Sequence, residues 1–281
     1  MADTKILVDG LCFAEGPRWR DGKLYFSDMH ADSVYTLDSS GKLNTIVKLD
    51  NDQPSGLGWL PDGRLLIVSM TERKVLAYDG SVLTELADLS SLASYHCNDM
   101  VSDAIGRSYV GNFGFNLLEG STFKKAEMIM VKSDGRCRVV AEELAFPNGT
   151  VITPDGSTMV VAETMAARLT AFDIEPDGGL TRRRVWAKLD DAIPDGICLD
   201  SASGIWVASP SSNEVLRVEE GGRVTDRIGV DNSAFACMLG GESGTTLHIL
   251  TSRTSDPKTC IREKSAAIEI IDVMYEGAGW P

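Results

Sequence analysis

The chain has 281 residues and a formal net charge of −14, and 43% of its residues are hydrophobic. An acidic chain lacks the basic footprint that nucleic acid or an anionic membrane surface would need, yet it holds enough apolar matter for a sizeable core. No run approaches eighteen apolar residues, so no membrane-spanning helix is expected.

Read from the start, TKILVDGL is a strand with no partner of its own. At Glu15 a pattern begins: EGPRW, then strands KLYFSDM, SVYTLD and LNTIVKL. It returns at Ser55 (SGLGW, RLLIVSM, KVLAYD, LTELADL) and at Asn98 (NDMVSD, RSYVGNF, MIMVKS, CRVVAEEL). It returns again at Asn148 (NGTVITPDG, TMVVAET, RLTAFD, RRRVWAKL) and at Asp195 (DGICLD, GIWVASP, EVLRVE, VTDRIGV). The last begins at Phe235 with FACML and runs through TLHILTS to AAIEIIDVMYEG. The intervals between those first positions are 40, 43, 50, 47 and 40 residues. Alternating strands rich in Val, Ile, Leu, Tyr and Trp, cut by Asp-Gly and Ser-Gly turns at a period in the forties, predict an all-β, six-bladed β-propeller with four-stranded blades. One domain, residues 1–281, is expected. The sixth unit lacks an outer strand, and TKILVDGL is predicted to supply it, tying first to last and hiding an edge. Two stretches break the pattern: residues 116–127, a candidate loop over one face, and residues 251–265.

Six cysteines occur (Cys12, Cys97, Cys137, Cys198, Cys237 and Cys260), none in a C-x-x-C pair. They read as buried thiols of a reducing compartment. With no apolar h-region near the N-terminus, a cytoplasmic location is expected.

Equivalent positions in a propeller lie around one axis. Glu15, Asn98, Asn148 and Asp195 would therefore bring hard oxygen donors to one point. Such a set suits a divalent cation: Ca²⁺ first, with Mg²⁺, Mn²⁺ or Zn²⁺ possible. Glycine follows Glu15, Asn148 and Asp195, which is expected to let the backbone turn sharply there. Ser55 and Phe235 depart from the set and would leave coordination positions open, as catalysis requires. His96, two residues before Asn98, can reach the same cavity by strand alternation. Asn112 and Glu163 end the second strands and could line its mouth. Phe113, Phe115 and Phe146 could form an apolar wall or simply join the core. His30 and His248 are given no role.

EGPRW, ND-x(3)-D-x-x-GR, FPNG-x(3)-TPDG and PDGICLD, in that order, resemble the gluconolactonase family, also called the regucalcin or senescence-marker-protein family, which includes luciferin-regenerating enzymes. The resemblance covers essentially the whole chain. It implies one divalent metal held by Glu15, Asn148 and Asp195, with Asn98 near it and Asp99 facing substrate. It also implies hydrolysis of sugar lactones, with the metal polarising the carbonyl. Asp195 is the first choice to take the proton of the attacking water and Asp99 the second. His96, Asn98, Asn112 and Phe113 are expected to contact substrate. The family often carries Arg where this chain has His96, so a lactone or small ester less hydroxylated than gluconolactone is expected. No Gly-x-Ser-x-Gly elbow is present, which argues against a serine hydrolase. The alternative is a non-catalytic calcium-binding regulator. No obligate protein partner is evident.

Overall fold

A computed structural model describes residues 4–117 and 119–280. Six antiparallel sheets are arranged as the repeats predict; four run from inner to outer strand in chain order, and blades five and six each gain a strand from a chain terminus. The inner strands are Ala14–Arg20, Pro54–Trp59, Cys97–Ser102, Pro147–Ile152, Ile197–Asp200 and Ser233–Gly240. The second strands are Lys23–Asp28, Leu65–Ser69, Ser108–Asn112, Thr158–Glu163, Ile205–Ser209 and Thr246–Ser252. Blades one to six are numbered from these pairs. The outer strand of blade six is Lys5–Leu11, which pairs with Ala266–Asp272 through Lys5↔Ile270 and Leu11↔Ala266. The free N-terminal strand thus closes the ring as expected.

The recurrent Asp-Gly turns have a common cause. Asp62, Asp134 and Asp155 each accept, through Oδ1, the backbone N–H two residues on, at 3.1 Å. The glycine that follows each takes a positive φ of 92°, 83° or 71°. An Asx turn with a left-handed second residue reverses the chain between strands. The core lies between the faces of neighbouring blades. One cluster joins Leu57, Leu65 and Ile67 of blade two to Val34 and Val47 of blade one. Another joins Val101, Tyr109 and Met128 of blade three to Ile152, Met159 and Val161 of blade four. All six cysteines are free thiols; Cys137 is part-exposed and the others are buried.

Two features were not expected. Within residues 251–265, Pro257–Glu263 forms a helix, started by Pro at its first turn and by Asp256, whose side chain accepts from Thr259 N. Gly277–Ala278 adds a fifth strand to blade five, on the inner side of Ile197–Asp200, and Trp280 N donates to Ile152 O. The C-terminal segment therefore crosses one end of the central channel. The stretch 116–127 links Asn112 to the strand Ala126–Val131; Leu118 lies outside the described residues. Among the described residues no helix is long and apolar enough to cross a membrane.

Candidate active site

The six equivalent positions share a local defect. The ladder between first and second strand slips by one residue just after Glu15, between Pro54 and Leu57, Cys97 and Met100, Pro147 and Thr150, and Ala234 and Ala236. A bulge of this kind places two residues opposite one, kinks the strand and re-aims a side chain. Blade five does the same without a regular strand: Asp195 N donates to Ala208 O, and Ala208 N returns to Gly196 O. Across these bulged strand ends the charge of Asp195 reaches Glu15 and Asn148 hydrogen-bonds to Asp195.

The second residue of the pair meets the neighbouring blade. A Cβ on Gly149 would lie 2.5 Å from Ile197 N and 2.6 Å from Asp195 O; on Gly196 it would lie 2.6 Å from the Ala236 side chain. Of the three glycines flagged in the sequence only Gly16 has a positive φ, 55°. Gly149 and Gly196 are therefore required by close approach of backbones, not by a sharp turn.

Glu15, Asn98 and Asn148 are buried and Asp195 is half-buried. Asn148 Nδ2 donates to Thr164 Oγ1 at 3.3 Å, and Thr164 Oγ1 donates to Pro194 O at 2.8 Å, which ties blades four and five together beside Asp195. Asn98 Nδ2 reaches Pro147 O at 3.4 Å. Both amides use their nitrogens on protein, and no described donor reaches their oxygens. Burial pushes the Glu15 carboxyl well up, and the charge of Asp195 pushes it further. Burial likewise raises Asp195, to about 8, helped by Asp99 and opposed by a hydrogen bond from Asn148. Two buried acids beside free amide oxygens form a donor set that a hard dication fits, since its charge would offset the burial and the like charge that raise them. Among the described residues no three His, Cys, Asp or Glu side chains gather as a metal cluster. A set of two acids plus amides does not need them.

Asp99 is placed differently from the expectation. Its Oδ1 accepts from Arg18 at 2.8 Å and from Met100 N at 2.8 Å. Arg18 is 2% exposed and also donates to the carbonyls of Leu57, Pro17 and Met100. It lines a cavity of about 200 Å³ with Trp19, Gly279 and Trp280, at the end crossed by the C-terminal segment. Asp99 is thus engaged by a buried cation, which weakens its claim as proton acceptor. Sequence reading missed Arg18, although an arginine inside the apolar EGPRW strand was the available signal.

Asn112 also differs. It is fully buried, its Nδ2 donates to the Glu127 carbonyl and carboxylate, and its Oδ1 accepts from Gly114 N at 2.9 Å. It holds a loop and offers nothing to a ligand. Glu163 is fully buried among Ala145 N, Thr170, Arg168 and Arg183, away from any mouth.

His96 and Phe113 belong to an arc of rings. His96 stacks on Tyr95 with centroids 4.1 Å apart and lies 6.3 Å from Phe113, which stacks on Phe146 at 4.7 Å. Burial lowers the His96 pKa. Phe13 meets Phe235 edge-on at 4.8 Å and stacks on His30 at 5.3 Å. Phe13, Met29, Met70 and Cys260 form one cluster against which Phe113 and Phe235 pack. Apolar side chains from blades one, two, three, four and six therefore meet one another on the side of the loops that lead into the inner strands.

A model of the SMP-30/Gluconolactonase/LRE-like region matches residues 13–253. The chain is 26% identical to 6-deoxy-6-sulfogluconolactonase of Pseudomonas putida, over 85% of this chain and 83% of that one. It is 22% identical to pentonolactonase XacC of Haloferax volcanii, over 90% and 86%. In structure it superposes on the calcium-binding protein regucalcin of Agrobacterium tumefaciens with a TM-score of 0.82 at 21% identity, covering 99% and 96% of the two chains.

Proposed function

The chain belongs to the SMP-30/gluconolactonase/LRE-like family, and from that premise we propose that it is a divalent-metal-dependent hydrolase of lactones. The observation that carries the reading is the axial set itself. The charge of Asp195 acts on Glu15, Asn148 hydrogen-bonds to Asp195, and Asn98 Nδ2 reaches the carbonyl of Pro147 next to Asn148, which supports a shared oxygen-donor site. Glu15, Asn148 and Asp195 would hold the ion. When bound, it would supply a Lewis acid for the lactone carbonyl and counter-charge for the acids. The relatives named above act on sugar lactones by name, and this supports the reaction class.

Asp195 is the residue to take a proton from the attacking water, since it combines partial exposure with a position at the set. Asp99, paired with Arg18, contributes negative charge under the set and fixes the bulge of blade three. His96 and Asn98 orient the substrate. The rings of Phe13, Phe113, Phe146 and Phe235 offer faces and edges but no hydrogen bonds, and Asn112 is already satisfied. A polyol would find few partners there, so the substrate is a lactone or small ester less hydroxylated than gluconolactone. The calcium-binding name of the regucalcin neighbour keeps a non-catalytic metal-binding role as the second reading.

The deciding experiment strips metal with a chelator, adds back Ca²⁺, Mg²⁺, Mn²⁺ and Zn²⁺ singly, and assays a lactone and ester panel with the parent and Asp195→Ala. The hydrolase reading expects turnover that depends on added metal and vanishes in the variant. Metal binding without turnover of any panel member would favour the regulator, and full turnover by Asp195→Ala would remove the site assignment.

A further inference from the structure

The bulges create a second ring of six residues, one per blade, each facing the residue before the axial position. They are Asp28, Ser69, Asn112, Glu163, Ser209 and Thr251; the ladder pairs Ala14↔Asp28, Pro54↔Ser69, Cys97↔Asn112, Pro147↔Glu163 and Ala234↔Thr251. Ser209 holds the corresponding place beside Ala208 in blade five. All six are polar and buried.

They do not all do the same thing. Asp28 accepts the backbone N–H of Cys12 at 2.9 Å and of Phe13 at 2.7 Å, in the loop leading into Glu15. Glu163 accepts from Ala145 N at 2.8 Å, three residues before Asn148. Ser209 accepts from Ile193 N at 3.2 Å, two residues before Asp195. In the other blades the bond goes elsewhere. Ser69 donates to Asp52, so the loop there supplies the acceptor instead. Asn112 turns to Glu127 and Gly114. Thr251 donates to Glu269 at 3.0 Å. Among the described residues, the second-ring side chain grips the backbone of the lead-in loop only in the three blades that carry Glu15, Asn148 and Asp195.

We infer that Asp28, Glu163 and Ser209 are positioning residues that latch the metal-holding side chains in place, an inference that rests on the site proposed above. A bulged strand end has lost a ladder bond, so its side chain is aimed only as well as the loop before it is fixed. A buried acceptor on the neighbouring strand fixes that loop from a rigid element. The carboxylates of Asp28 and Glu163 make stronger, charge-assisted bonds than the Ser209 hydroxyl. Ile193 N also reaches Ser211 Oγ at 3.2 Å, so the latch of blade five is doubled.

The test is calorimetric titration of the purified full chain with Ca²⁺, with Mn²⁺ as a second probe, beside a thermal melt of each metal-free variant. Asp28→Ala and Ser209→Ala should weaken binding by about 10–100-fold, the range expected when a partner behind a ligand is lost, with Ser209→Ala at the low end. Asp28→Asn keeps one acceptor oxygen and should recover part of the loss. It also carries the test with Ser209→Ala if Asp28→Ala does not fold. Ser69→Ala and Thr251→Val, from the same ring in blades without a metal-holding residue, should bind as the parent does even where their melts fall. Equal weakening in all four blades, or parental affinity in the Asp28 and Ser209 variants, overturns the latch. Asp195→Ala run in parallel separates the two levels. If it binds metal like the parent, the site reading itself fails. If it loses metal while Asp28→Ala and Ser209→Ala do not, only the latch fails.

Discussion

Arg18→Met tests the electrostatics beneath the axial set. Arg18 and the Asp99 side chain are 3% and 11% exposed, and their contact is 2.8 Å. Methionine fills much of the same volume but leaves Asp99 as a buried charge without a partner, and leaves the carbonyls of Pro17, Leu57 and Met100 without their donor. Removing one partner of a buried ion pair costs about 3–5 kcal/mol. At roughly 2–4 °C per kcal/mol for a chain near this size, the metal-free protein should melt about 6–20 °C lower. Metal affinity should move the other way. Arg18 is a cation close enough to lower the Glu15 pKa, so its loss leaves Glu15, Asp195 and Asp99 more strongly attracting a dication. The assay is a pair of urea or thermal melts, with and without saturating Ca²⁺, on parent and variant. The variant should be much weaker than the parent without metal and should gain more from calcium, because ligand stabilisation grows with affinity. Adding Asp99→Asn should restore part of the metal-free stability. A variant within about 1 kcal/mol of the parent, or one that gains less from calcium, would refute this account, since a buried charge cannot lose its partner at no cost.

His96→Ala should raise KM or shift substrate preference and leave metal affinity unchanged, since the ring lies among Tyr95 and Phe113 and not in the donor set. His96→Arg supplies a fork of donors, so turnover of gluconolactone-type substrates should rise relative to simple lactones. Unchanged kinetics in both variants would end the recognition role. Gly149→Ala places a Cβ 2.5–2.8 Å from three backbone atoms of Asp195, Gly196 and Ile197. Backbone cannot swing aside, so an overpacking loss of at least about 1–3 kcal/mol is expected in urea unfolding, together with weaker metal binding as Asp195 shifts. Parental stability would show that blades four and five tolerate separation at the axis.

The repeat was legible because each blade is a local object. Strand alternation, Asp-Gly turns and the spacing of Glu15, Ser55, Asn98, Asn148, Asp195 and Phe235 are all properties of short stretches of chain. Counting them yielded six four-stranded blades and the closing role of Lys5–Leu11. The same phase nominated Glu15, Asn148 and Asp195, because radial repetition converts equal position in sequence into nearness at an axis. What sequence could not determine was which polar side chain would be used up on arrival. Asn112 and Asp99 carry the right atoms, but Glu127, Gly114 and Arg18 reach them first, from residues as far as 81 positions away. Arg18, the second ring and the channel-crossing segment that includes Trp280 belong to the same class. Hydrogen bonds between blades depend on the register of bulged strands and on which backbone lies across the axis. That register exists only once the ring is closed and the glycines at 149 and 196 have let the inner strands meet.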